Sequence, residues 1–174
     1  MLLLLLDKVG FDLKISCFFS NYLVGKKTKY FWNDLSSLFF DVNIGIGQGL
    51  ALSPILLILY LLPVFHIFEK RLKNLKIPIS VISFVDDGLL ISQNKSFHIS
   101  NSNLFCSYCV MSHLLEQFSL VIKYGKTEVF HFSRSHGVFY SLSLDLSIPG
   151  GPIFHLKETW YYLGFIFDRK LSFC

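Results

Sequence analysis

An α+β fold is predicted for this chain from three features of its sequence. Some segments place apolar residues at three- and four-residue steps, the spacing of a helix face, whereas others are β-branched runs of strand length. The two kinds follow one another irregularly, without the regular strand-helix-strand alternation that builds a parallel sheet. A length of 174 residues is that of one domain with a usable core.

Taken in order, Leu2 to roughly Leu23 has helical spacing, with Phe11, Ile15, Phe18, Phe19 and Tyr22 recurring, and Gly10 divides it into two short helices. Gly25 to Lys29 is a basic turn. Tyr30-Phe-Trp32 and Leu38-Phe-Phe40 then suit a β-hairpin with Asn33-Asp34 near its turn. Gly45-Ile-Gly-Gln-Gly49 reads as a flexible polar loop. Ser53 as N-cap and Pro54 in the first turn open an apolar helix to about Leu75, kinked near Pro63, whose end Glu69 to Lys73 is solvated. Ile79 to Ser92 is β-branched and interrupted by Asp86-Asp-Gly88; because Asp-Gly favours tight turns, it reads as a hairpin with two acids at its tip. Asn101 or Asn103 caps a helix running to Phe118. Leu120 to Tyr124 and Thr127 to Phe132 read as strands around Gly125, Pro149 to Pro152 as a turn or linker, and Trp160 to Phe167 as a last strand or hairpin.

Composition narrows the function classes. Charged residues are 16% of the chain, against roughly 25% in an average domain. With 52% hydrophobic residues, 19 Phe and 8 Tyr, a disordered chain is excluded, because so much apolar surface collapses. The net charge of +4 admits a polyanionic partner without demanding one. Cys17, Cys106, Cys109 and Cys174 are too few and too scattered for a disulfide framework, which points to a reduced, intracellular protein. The leucines 2–6 have no preceding positive residue and end at Asp7-Lys8, so they read as helix rather than a targeting signal. Leu50 to Phe68 is long and apolar enough to raise a small membrane protein as an alternative, although Ser53, Pro54, Pro63 and His66 interrupt it.

Phe84-Val-Asp-Asp87 is the tetrad richest in chemistry. Adjacent carboxylates repel, and a bound divalent cation removes that repulsion. Hard ions such as Mg²⁺ take one or two carboxylates together with phosphate oxygens, as in nucleotidyl transfer by two metals. Strand alternation sets Asp86 on the side of Phe84 and Ile82, with Asp87 opposite. A plain solvated turn is the ordinary alternative. Gly47-Gln-Gly49 adds a side-chain-poor loop at a helix mouth, where backbone N–H groups and the Gln48 amide meet a nucleotide or template base closely.

Together these segments resemble the palm of a reverse transcriptase, the RNA-directed DNA polymerase of non-LTR (LINE-like) retrotransposons. Gly47-Gln-Gly-Leu-Ala-Leu-Ser-Pro54 resembles the family's template- and nucleotide-contacting loop, and Phe84-Val-Asp-Asp87 its aromatic-x-Asp-Asp metal hairpin. Lys126-Thr-Glu128 with Phe130-His-Phe-Ser133 resembles the following segment, whose lysine lies near the incoming triphosphate. Tyr162-Leu-Gly-Phe165 through Asp168 resembles the hairpin that grips the primer end, and Gly10-Phe11 with Asn21-Tyr-Leu23 the helical stretch before the Gln-Gly loop. The resemblance covers nearly the whole chain, residues 1–174 then forming one partial palm domain. It implies a palm-like antiparallel sheet backed by the helices at Ser53 to Leu75 and Asn103 to Phe118.

By the same resemblance, Asp86 and Asp87 hold Mg²⁺ or Mn²⁺, Gly47, Gln48, Gly49 and Phe84 contact template and nucleotide, and Lys126 serves the triphosphate. The implied partners are an RNA template, a DNA primer and deoxynucleoside triphosphates. The implied reaction is attack of the primer 3′-hydroxyl on the nucleotide α-phosphate. The family's first metal-binding aspartate belongs to a strand upstream of the first helix, and Asp7 and Asp12 match no part of it. Fingers and thumb are likewise expected outside the chain, so a truncated, inactive retroelement remnant is expected. Gly47 stands where proline is usual and Leu50 where a small polar residue is usual.

Other constellations are plainer. Cys106, Cys109 and His113 share a predicted helix face as soft ligands for zinc, but a fourth ligand is missing, and cysteine is often a small buried hydrophobe. His66, His131 and Ser133 lack a nucleophile elbow. Tyr30, Trp32, Trp160, Tyr161 and Tyr162 suit base stacking, with core packing the default for such rings.

Overall fold

The computed structural model describes residues 2–42, 45, 51–132, 146–147, 153–157 and 159–170. Helices α1 (Leu2–Val9) and α2 (Leu13–Leu23) flank Gly10 as expected, and Gly10 turns the chain with φ 87°. The Asp12 side chain accepts a hydrogen bond from the Lys14 N–H at 2.8 Å, a polar cap that starts α2. Strands β1 (Lys27–Thr28) and β4 (Phe40–Asp41) pair antiparallel and enclose a tighter antiparallel pair, β2 (Phe31–Trp32) with β3 (Leu35–Ser36). Asn33 and Asp34 make that turn, as the sequence indicated, with Asn33 at φ 52°.

Helix α3 (Ser53–Asn74) runs on across Pro63. It ends with the Ile77 N–H donating to the Leu72 carbonyl, Lys76 taking the left-handed position at φ 55°. Strands β5 (Ile79–Phe84) and β6 (Asp87–Ser92) form a hairpin. Helix α4 (Phe97–Gln117) begins earlier than Asn101, after Ser96, and finishes with the Leu120 N–H donating to the Leu115 carbonyl. The capping asparagines lie inside the helix, where Ser107 bonds back to the Asn103 carbonyl at 2.6 Å. Beyond α4 the two expected strands shrink to β7 (Val129–Phe130), preceded by a 3₁₀ turn at Tyr124–Lys126. Then come β8 (Leu146–Ser147), β9 (Ile153–Phe154), β10 (Leu156–Lys157), β11 (Thr159–Tyr162) and β12 (Phe165–Asp168).

The described residues mix helices with short strands. The described strands pair two by two in six small sheets, antiparallel where register is defined except for β7 with β10, which is parallel. A single antiparallel sheet is not formed among the described residues.

Two compact units emerge, Met1–Glu69 with Ile82–Leu89, and Lys70–Val81 with Leu90–Cys174. The first has a core of Leu6, Phe19 and Leu56, against which Leu3, Phe11, Tyr22 and Leu59 pack. In the second, Tyr108 and Phe154 are buried with Leu90, Phe105, Ile122 and Val129 around them. Among the described residues no helix is long and apolar enough to cross a membrane, so α3, which holds most of the 50–68 stretch, does not favour the membrane alternative.

Candidate functional site

The acidic hairpin departs from its expected geometry by two residues. The turn is made by Val85 and Asp86, while Asp87 and Gly88 begin β6. A two-residue connection needs φ above zero at its first position. Val85 supplies it at φ 56°, a conformation that a β-branched residue adopts at a cost of about 1–3 kcal/mol. Gly88 has no positive φ and nothing within 4 Å of where a Cβ would stand, so its freedom is not what makes this turn. The strained turn pairs two six-residue strands, and that ladder outweighs the local preference for Asp-Gly. Because Asp86 is a turn residue, strand alternation from Phe84 no longer assigns its side.

Asp86, Asp87 and Phe84 are all exposed. Neither carboxylate has an ion-pair or hydrogen-bond partner among the described residues. This donor set of two hard oxygen ligands fits part of a Mg²⁺ or Mn²⁺ shell and leaves room for phosphate oxygens. No group of three or more His, Cys, Asp or Glu side chains poised for a metal occurs among the described residues. That finding also bears on Cys106, Cys109 and His113. Burial, then the neighbouring Cys106, push the Cys109 thiol up, and His113 contacts the Gln117 amide at 3.1 Å.

Gly47, Gln48 and Gly49 lie outside the described residues, as do Ser133 and the Pro149 to Pro152 turn. Lys126 is exposed on the 3₁₀ turn and belongs to the second unit, whereas Asp86 and Asp87 belong to the first. Beside that turn is an open cavity of about 340 Å³, lined by Tyr124, Thr127, Glu128, Phe154, His155 and Lys157 but not by Lys126. Lys157 and Glu128 form an ion pair across it at 2.9 Å. The parallel pairing of β7 with β10 builds this wall from segments far apart in sequence, which no local pattern announces.

The Trp160 to Phe167 hairpin is formed as expected, its turn being Leu163 at φ 49° and Gly164 at φ 83°. Trp160 stacks on Tyr162 with centroids 4.9 Å apart and lies 6.2 Å from Phe130, in a cluster with Phe132 and Phe167. These rings follow the core-packing default in part. Tyr30, Trp32 and Tyr161 do not, and are exposed.

His131 follows β7, packs edge-on against Phe97 at 4.5 Å, and is held below the ordinary histidine pKa by burial and then by Arg169. A depressed histidine contributes stability above the unfolded value of about 6.5 and loses it as pH falls through the folded value. Thermal unfolding should therefore move to lower temperature on acidification below that pH. In His131→Phe the part due to this residue should disappear; an unchanged pH profile would refute the assignment.

A family model described as reverse transcriptase (RNA-dependent DNA polymerase) matches residues 7–167. No curated protein and no solved structure matches the chain.

Proposed function

The chain belongs to the reverse transcriptase family, and we propose that its Asp86–Asp87 hairpin is the metal-holding corner of a templated nucleotidyl-transfer site. One observation carries this reading: two adjacent exposed carboxylates without a partner among the described residues, presented on a backbone turn that is strained at Val85. Strain held at a turn that carries acidic groups is characteristic of sites where presentation matters more than stability. A bound Mg²⁺ would neutralise phosphate charge and lower the pKa of an attacking hydroxyl there.

The chain's own residues divide the remaining work. Asp86 is the principal ligand, by its place as first acid of the aromatic-x-Asp-Asp tetrad, and Asp87 the secondary one. Gln48 between Gly47 and Gly49 positions template and nucleotide, Phe84 supports the base, and Lys126 offsets triphosphate charge. The order of these motifs favours the non-LTR, LINE-like branch, with RNA template and DNA primer as partners. Among the described residues two carboxylates meet at this hairpin, and a two-metal transfer calls for further anionic ligands beside them.

Titration with Mn²⁺, followed by loss of the free-ion resonance, tests the site. Weak binding is expected. Asp86→Asn should weaken it by about tenfold or more, the loss of one charge-assisted contact, and more than Asp87→Asn does. Equal losses would remove Asp86 as principal ligand, and no loss in either variant would remove the hairpin as the site.

A further inference from the structure

Residues 26–42 form one antiparallel arm. Lys27 is opposite Asp41, Thr28 opposite Phe40, and Phe31–Trp32 opposite Leu35–Ser36. Its large apolar side chains face water: Trp32 is 78% exposed, Tyr30 72% and Phe39 65%. A two-stranded hairpin is marginal by itself, and a contiguous apolar patch on it marks an interaction surface. The rings are interleaved with cations. The Lys29 ammonium lies 4.5 Å from the Phe31 centroid and 5.2 Å from that of Phe39, and Lys26 and Lys27 precede it on the same leg.

We infer that this arm is a binding surface for single-stranded nucleic acid, separate from the Asp86–Asp87 hairpin. Exposed ring faces accept unpaired bases, and lysines along one leg meet the phosphates between them. The arm carries Lys26, Lys27 and Lys29 against Asp34 and Asp41, and this positive balance favours a polyanionic strand over a second, equally positive arm. Duplex bases are stacked on each other and leave no face for Trp32, so unpaired strands are selected. The inference rests on the family assignment for the presence of a nucleic-acid substrate, but not on any bound metal.

The test is fluorescence anisotropy of labelled oligo(U) and oligo(dT) in EDTA, where hairpin metal binding plays no part. Binding of either strand is expected, with a slope near −2 in log K against log salt for about three phosphate contacts, reduced in magnitude by about 0.7 in Lys29→Glu. Trp32→Ala should weaken binding about tenfold, and Trp32→Tyr, which keeps a ring, should restore most of it. In a Trp160→Phe background Trp32 is the sole tryptophan, and stacking should quench its emission. Full affinity in Trp32→Ala, unquenched Trp32, or equal competition by duplex would overturn the inference. So would the absence of oligonucleotide binding, including where Trp32→Ala abolishes self-association or binding to anionic vesicles instead. Mn²⁺ binding read in parallel separates the two assignments, since either can fail while the other stands.

Discussion

Primer extension by the 174-residue chain on a homopolymeric RNA template is expected to stay below detection with either Mg²⁺ or Mn²⁺. Transfer to a primer hydroxyl needs cations fixed against both the attacking oxygen and the triphosphate, and few acids are placed to fix them among the described residues. Asp86 and Asp87 stand together, and no third metal-binding side chain joins a cluster with them among the described residues. Removing one anchor from a preorganised electrostatic site costs about 10² to 10³ in rate. The control is an active reverse transcriptase under the same conditions. Extension by this chain that disappears in Asp86→Ala would show that its own residues complete the site, and the reading of low activity would be wrong.

The parts of this protein that were legible in its sequence are those governed by local chemistry. Gly10 divides the first helices and Asn33-Asp34 turns the aromatic arm, each through a short-range backbone preference, and Trp160 to Phe167 forms a last hairpin, whereas the Asp12 cap of the second helix was not read from the sequence. The acidic hairpin was legible as a hairpin but not in its turn: Asp87-Gly88 is the better local turn pair, yet the pairing of β5 with β6 places the bend at Val85-Asp86. Asn101 and Asn103 misled for a similar reason, since a residue that caps well is still tolerated inside a helix whose apolar side is buried. The cavity wall beside Lys126 depends on β7 meeting β10, a non-local contact with no sequence signature.

Alanine at Leu56 or Phe68 is expected to destabilise the protein by about 2–5 kcal/mol, while alanine at Ile58 or Leu62 should cost far less. The segment from Leu50 to Phe68 is apolar at nearly every position, so its periodicity does not reveal which side is core. The structure separates the two sides. Leu56, Val64, Phe68 and Leu72 are buried at multiples of four residues, with Leu61 beside them, and Ile55, Ile58 and Leu62 are each about half exposed. Leu56 is fully buried with Leu6 and Phe19, so truncation leaves a cavity that helices α1 and α2 close only in part. A loss of this size is a large fraction of the roughly 5–15 kcal/mol that holds a domain together. Denaturant unfolding of the four variants decides the matter. A buried core helix gives two strongly and two weakly destabilised proteins. A membrane span, whose lipid-facing residues are as apolar as its packed ones, would give no such division by face, and four equal losses would count against the burial of Leu56 and Phe68.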